Sequence, residues 1–189
     1  MPSSDITMVP KVMAVMEAIG PGSILDIGVG NGRYGFLFRE CLDWNFGRLK
    51  RPDWIVTIDG VEIAEDYITD IHRAVYNDII VSDWLEYVPE QRTYSVAFMG
   101  DVLEHWPDGD WQQALYKARD CSKFTVVVAP NWRGSIAQGV WNGFESESHR
   151  VVLSPQKIGG RCLHATSKMF MCVFDNYESG LLEGREVCL

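Results

Sequence analysis

The sequence predicts an α/β fold, a three-layer α/β/α sandwich in which helices cover both faces of a mostly parallel sheet. Short apolar segments alternate with helix-length segments as far as about residue 130. Some of these segments are apolar without interruption, as at 126–128, which is typical of strands buried on both faces. In addition, the first predicted strand leads directly into a glycine-rich turn and a helix, Ile24-Leu-Asp-Ile-Gly-Val-Gly-Asn-Gly-Arg33.

Each predicted element follows from its own pattern. Residues 8–19 have apolar side chains at helical spacing, with Pro10 in the first turn and Gly20-Pro21-Gly22 after the end. The further predicted helices are 33–42, 64–74 and 108–121. The predicted strands are 23–27, 54–62, 77–82, 94–99 and 123–129, with late strands at 150–153 and 168–174.

Length and composition fit one domain over residues 1–189, with a loose tail from about residue 178 to residue 189. Apolar residues make up 47% and charged residues 23%, which is ordinary for a globular protein. No apolar run approaches the roughly 20 residues that span a bilayer. The first residues also lack the features of a signal peptide. We therefore expect a cytoplasmic protein with no membrane partner.

The formal net charge of −9 argues against nucleic acid as a partner and favours a small-molecule substrate. The small basic cluster of Arg48, Lys50 and Arg51 is interpreted as a solvated loop. Five widely spaced cysteines without a C-x-x-C pair indicate free thiols. No metal cluster is predicted, although Asp101, Glu104 and His105 stay open as ligands. An oligomer stays open as well.

Ligands of open parallel sheets bind beyond the carboxyl ends of the strands. The first strand is followed there by Gly28, Gly30 and Gly32, and glycine lets a ligand approach the bare backbone. Asp26, just before the turn, is expected to accept hydrogen bonds from a ligand ammonium group or from the turn itself. The turn is thus predicted to hold the polar part of a nucleotide-like ligand.

The next two strands also end in polar groups. Glu62 closes the second strand, and its two oxygens match the vicinal hydroxyls of a ribose. Asp59 is its rival but falls earlier in the strand. After the third strand, Asp83 is placed to accept from an adenine amino group. The neighbouring Trp84 either lies against the adenine ring or anchors the core.

The fourth strand is followed by Asp101-Val-Leu-Glu-His105. With the glycine turn, Gly60–Ile63 and Asp83-Trp84, this run resembles class I S-adenosylmethionine-dependent methyltransferases. Within that class it looks like the small-molecule group that includes ubiquinone-biosynthesis enzymes. The matched pieces lie within about residues 8–131.

The resemblance implies a seven-stranded sheet with a late antiparallel strand, and S-adenosylmethionine as cofactor. It implies cofactor contacts from the strand-end residues: Asp26, Gly28, Gly30, Gly32, Glu62, Ile63, Asp83, Trp84 and Asp101. On the side of the methyl acceptor, His105, Asp101 and His149 are the candidate catalytic residues. Against this, Glu104 and His105 could cap the next helix, and His149 could be an ordinary surface histidine.

Three functions therefore compete: a small-molecule methyltransferase, a non-catalytic module that binds S-adenosylmethionine, and an NAD(P)-dependent oxidoreductase. The last is disfavoured because residue 33 is arginine where a dinucleotide fingerprint has its third glycine. No tyrosine is followed by a lysine four residues later either. The long loop 131–149 is expected to hold the acceptor, with Trp132, Trp141 and Phe144 forming an apolar pocket or lid.

Overall fold

Seven strands form one sheet in the computed structural model, which describes residues 5–89, 93–131, 139–140, 143, 145–178 and 180. In chain order they are β1 (Ser23–Ile27), β2 (Thr57–Glu62), β3 (Asp78–Val81), β4 (Tyr94–Gly100), β5 (Ser122–Pro130), β6 (Arg161–Ala165) and β7 (Met169–Asp175). The spatial order is β3-β2-β1-β4-β5-β7-β6. Strands β1 to β5 are parallel, and β7 pairs antiparallel with both β5 and β6. The predicted sheet with a late antiparallel strand is confirmed.

Five α-helices complete the layers within the described residues: α1 (Val9–Ile19), α2 (Arg33–Leu42), α3 (Asp70–Val75), α4 (Asp110–Asp120) and α5 (Pro155–Ile158). The first three pack on one face of the sheet, where Val12, Phe38 and Val75 share one buried cluster. The other two cover the opposite face, where Leu115 and Ile158 share the second cluster. The predicted α/β/α sandwich is therefore confirmed. In the described part of the chain, no helix combines the length and apolar character that crossing a bilayer requires.

Two of the predicted elements differ from the structure. The segment 150–153 is irregular instead of a strand, and the edge strand is β6, which lies further along the chain. The helix expected over 64–74 is split into a 3₁₀ turn at Glu65–Tyr67 and the short helix α3. Thr69 starts α3 in extended backbone with a reciprocal capping arrangement, so a continuous helix is interrupted there.

The connection between α2 and β2 is fixed by a buried ion pair. Arg39 and Asp43 are both fully buried, and Arg39 also donates to the Val56 carbonyl oxygen at 2.7 Å. Asp43 in turn accepts a hydrogen bond of 2.6 Å from Arg48 Nε. Arg51 donates to the Tyr76 carbonyl oxygen. Two residues of the basic cluster are therefore engaged in structural hydrogen bonds.

Candidate active site

A cavity of about 700 Å³ lies beyond the carboxyl ends of β1, β2 and β4. That volume is in the range of small-molecule and cofactor sites. The predicted site residues that line it are Asp26, Gly28, Gly30, Glu62, Ile63, Asp83, Trp84, Asp101, His105 and His149. Gly32 is the one member of the predicted set that is not on the wall. The structure thus brings residues from five separate segments of the chain to one cavity.

The three glycines of the turn have different surroundings. All have positive φ, of 77° at Gly28, 53° at Gly30 and 76° at Gly32. A Cβ at Gly28 would lie 2.6 Å from Val102 Cγ2, and one at Gly32 would lie 3.1 Å from His72 Nε2. A Cβ at Gly30 would meet no atom within 4 Å. Gly30 therefore faces open cavity, while its two neighbours are packed against protein.

Glu62 ties the end of β2 to the glycine turn. It is 6% exposed, and its carboxylate accepts from the Gly30 N–H at 2.9 Å and from the Ala64 N–H at 3.0 Å. Burial raises the pKa of Glu62, while these backbone hydrogen bonds oppose the rise. Asp59 points elsewhere, because it accepts a 2.9 Å hydrogen bond from the Tyr94 hydroxyl within the protein. The geometry therefore places Glu62, and not Asp59, at the cavity.

Asp26 lies at the base of the turn and is held by Tyr76, a residue that the sequence analysis did not single out. The Tyr76 hydroxyl donates to Asp26 Oδ2 at 2.5 Å. The Tyr76 ring packs against the backbone of two glycines, Gly35 and Gly60. A Cβ at Gly35 would lie 2.1 Å from Tyr76 Cζ, and one at Gly60 would lie 3.2 Å from its Cε1. The one indication of this close approach in the sequence is that Gly35 lies inside a predicted helix and Gly60 inside a predicted strand.

Burial is the main reason that the pKa of Asp26 is raised to about 7. The negative charge of Glu62 adds to the rise, and the Tyr76 hydroxyl opposes it. A cationic ligand group beside Asp26 would favour its ionised form.

Asp83 and Trp84 follow β3 and differ in exposure. Asp83 is half-buried, and its Oδ1 accepts from the Leu85 N–H at 2.8 Å. Trp84 is 3% exposed, and its indole N–H donates to the Ala114 carbonyl oxygen of α4 at 3.0 Å. The indole is thus anchored in the core while part of its surface lines the cavity.

The segment after β4 forms a separate turn at the cavity wall. Asp101 has a φ of 51°, which is uncommon for a residue other than glycine. Leu103–His105 is a 3₁₀ turn, whereas the next helix begins at Asp110. Glu104 and His105 therefore do not cap that helix, and both line the cavity.

His149 comes from a distant segment and lies beside His105. The two imidazole rings are 5.2 Å apart at an angle of 63°. The side chain of His149 is 17% exposed, so it is not an ordinary surface histidine. Burial lowers the pKa of His105, and burial with the nearby His105 lowers the pKa of His149 to about 4. Both rings are therefore neutral near pH 7.

Glu104, which the sequence left open as a metal ligand or a helix cap, is buried at the wall of the cavity. It is 2% exposed, and its Oε1 lies 3.9 Å from His149 Nε2. Burial and the charge of Asp101 raise its pKa well above the usual range. The proposed aromatic lid of Trp132, Trp141 and Phe144 lies outside the described residues.

Comparison with known proteins identifies the fold. No protein-family profile matches this sequence, and no curated protein does either. Solved structures do match. DhpI in complex with SAH (S-adenosylhomocysteine) aligns with a TM-score of 0.59 and 14% identity, over 88% of this chain and 84% of that one. The N-terminal domain of EvdMO1 with SAH bound aligns with a TM-score of 0.56 and 15% identity, over 90% of this chain and 80% of that one.

The methyltransferase domain of bacterial CtHen1-C aligns with a TM-score of 0.55 and 16% identity, over 88% of this chain and 95% of that one. These likenesses, together with the sheet order and the late antiparallel strand, show that the chain has the class I methyltransferase fold. At such low identities the likeness concerns the fold alone.

Proposed function

We propose that this protein is an S-adenosylmethionine-dependent methyltransferase that acts on a small-molecule acceptor. The observation that carries the proposal is the buried Glu62 carboxylate, which is hydrogen-bonded to the Gly30 N–H at the wall of the cavity. This links a bare glycine turn to a carboxylate at the end of the neighbouring strand. A nucleoside with a charged amino-acid tail needs both features.

The cofactor half of the cavity is suited to S-adenosylmethionine in four places. The open space above Gly30 admits a ligand against the backbone. Glu62 has lone pairs beyond those that its backbone donors use, and these can accept from ribose hydroxyls. Asp26 at the base of the turn is suited to the ammonium group, and Asp83 beyond β3 to the adenine amino group.

The remaining cofactor contacts are secondary. Ile63 is 53% exposed at the cavity and offers an apolar contact next to Glu62. Trp84 offers the part of its ring that reaches the cavity. Gly28 and Gly32 shape the turn through their positive φ values and do not need to touch the ligand.

The acceptor half consists of Asp101, His105 and His149. When bound, S-adenosylmethionine supplies an electrophilic methyl group on its sulfonium. The chain must then hold the acceptor atom in line with that methyl group and exclude water. The lowered pKa of each histidine leaves a neutral imidazole that can take the proton of an acceptor hydroxyl. Asp101 is suited to orient the acceptor by hydrogen bonding.

A methyl-transfer assay tests the proposal. The purified protein is incubated with methyl-labelled S-adenosylmethionine and a panel of metabolites that carry hydroxyl, amine or thiol groups. We expect label in at least one product, at a rate that falls in a Glu62→Ala variant. If SAH binds tightly while no metabolite is labelled, the non-catalytic module is the better account.

A further inference from the structure

Three potential metal ligands, Glu104, His105 and His149, lie together at the acceptor end of the cavity. One ligand atom from each lies within 4.8 Å of those of the other two. Tetrahedral ligand atoms at about 2.1 Å from one ion are about 3.4 Å apart. Side-chain movements of up to about an ångström would therefore bring all three atoms onto one ion.

Glu104 gives the strongest indication of a missing partner. Its side chain is 2% exposed, and neither carboxylate oxygen has a hydrogen-bond partner among the described residues. Buried carboxylates in proteins are normally paired, hydrogen-bonded or bound to a metal ion. The nearest oppositely chargeable group is His149, whose Nε2 lies 3.9 Å from Glu104 Oε1. The buried Glu104 carboxyl is therefore left without a hydrogen bond among the described residues, beside a cavity that has room for an ion.

Backbone hydrogen bonds hold the two distant segments of the cluster together. The Glu104 carbonyl oxygen accepts from the Arg150 N–H at 2.8 Å and from the Val151 N–H at 3.3 Å. These bonds place His149 over the turn that carries Glu104 and His105. The arrangement is thus built by the fold and does not depend on the side chains alone.

The surroundings of His105 are typical of a metal ligand. Its Nδ1 lies 3.3 Å from the Ser148 carbonyl oxygen, and a carbonyl can only accept, so Nδ1 carries the hydrogen. In a neutral ring the lone pair is then on Nε2. Metal-bound histidines commonly donate their other N–H to a carbonyl in this way.

We propose that Glu104, His105 and His149 bind one divalent transition-metal ion. Two imidazole nitrogens and one carboxylate suit Zn²⁺, Co²⁺ or Fe²⁺ better than Mg²⁺ or Ca²⁺, which prefer oxygen ligands. Three protein ligands leave at least one open position on the ion. If the proposed function is correct, an oxygen atom of the acceptor would take that position, and the ion would lower the pKa of its hydroxyl so that the proton leaves to water. His105 and His149 would then hold the ion instead of acting as bases.

The test is metal binding by untagged, chelator-treated and dialysed protein. Zn²⁺ is titrated by calorimetry into the wild type and into Glu104→Gln, His149→Gln and His164→Gln variants. His164 lies in β6, away from the cavity, and serves as the matched control. We expect one Zn²⁺ per wild-type chain, at least about tenfold weaker binding in the first two variants, and unchanged binding in the control.

Absorption of bound Co²⁺ provides a second measurement on the wild type, which does not depend on how the variants fold. The ligand set predicts d–d bands without thiolate-to-cobalt charge transfer. Three outcomes would overturn the proposal: no Zn²⁺ binding at about 1 mM metal, equal binding by both site variants and the control, or a thiolate spectrum. Titration of the chelated wild type with SAH needs no metal, so it tests the proposed function separately.

Discussion

Glu62 accepts hydrogen bonds from the glycine turn, and on the proposed function its remaining lone pairs bind the ribose of the cofactor. A Glu62→Ala variant should bind SAH more weakly by about 1–3 kcal/mol, or roughly 5- to 150-fold. Calorimetry on the wild type and the variant measures the difference. Glu65→Ala is the matched control, since Glu65 is an exposed acid three residues later that does not line the cavity. Equal affinities of the Glu62 variant and the wild type would refute the ribose assignment.

Asp26 makes the stability of the protein depend on pH in a defined direction. Its pKa is about 7 in the folded chain, against a value near 3.8 in the unfolded chain. Between these two pH values the Asp26 carboxyl is protonated in the folded chain and ionised in the unfolded chain. The contribution of Asp26 to the free energy of unfolding therefore falls as the pH rises from about 4 to about 7. Glu62 and Tyr76 are the groups that face Asp26 and shift its pKa in opposite directions.

An Asp26→Asn variant should lose this dependence. Denaturant unfolding at pH 5 and pH 8 gives the free energy of unfolding of each protein. We expect the wild type to lose stability relative to the variant at the higher pH, by about 1–3 kcal/mol. A difference between the two proteins that stays constant with pH would show that Asp26 titrates normally.

At the scale of residues, the sequence predicted those site positions that follow directly from where a strand ends. Glu62 and Asp83 are of this kind. For a physical reason, Tyr76 was missed and the role of Glu104 was left open. Tyr76 belongs to the site because it donates a hydrogen bond to Asp26, which lies 50 positions earlier in the sequence. Glu104 is notable because it lies beside His149, which is 45 positions later. Neither neighbour can be read from local spacing.

At the scale of elements, packing against Tyr76 determines which residue the helix α2 can have at position 35. Gly35 sits inside this helix, where glycine usually costs about 1 kcal/mol relative to alanine. Here it makes room for the Tyr76 ring, since a Cβ would lie 2.1 Å from Tyr76 Cζ. The packing outweighs the helix propensity.

A Gly35→Ala variant should therefore lower the free energy of unfolding by about 1–3 kcal/mol, in spite of the better helix former. Glu40→Ala in the same helix is the control and should change stability by less than about 0.5 kcal/mol. Thermal or denaturant unfolding measures both. A Gly35→Ala protein more stable than the wild type would show that Tyr76 moves aside without cost.

Element prediction succeeded where periodicity and end signals agreed, as in α1 and in β5. It failed at 150–153, because an apolar pair beside His149 resembles a strand while its backbone is used to hold the Glu104 turn. The split of the helix expected over 64–74 has a similar cause. The Thr69 capping arrangement starts a new helix at a point where the apolar spacing shows no break.

At the scale of the whole molecule, the strand order explains where the cavity lies. The chain runs outward from β1 through β2 to β3, then returns to place β4 on the other side of β1. Crevices form at such a reversal in open parallel sheets. The strands next to this reversal are followed by the glycine turn, by Glu62 and by the Asp101–His105 segment. The alternation of strands and helices was therefore enough to predict that these residues lie close together.

The choice of ligand by the intact protein is the most direct test of the proposed function. SAH and NAD are titrated separately into the purified wild-type chain by calorimetry. We expect one SAH bound per chain and no heat of binding with NAD, since Arg33 occupies the place of the third glycine of a dinucleotide fingerprint. Binding of NAD without binding of SAH would contradict it.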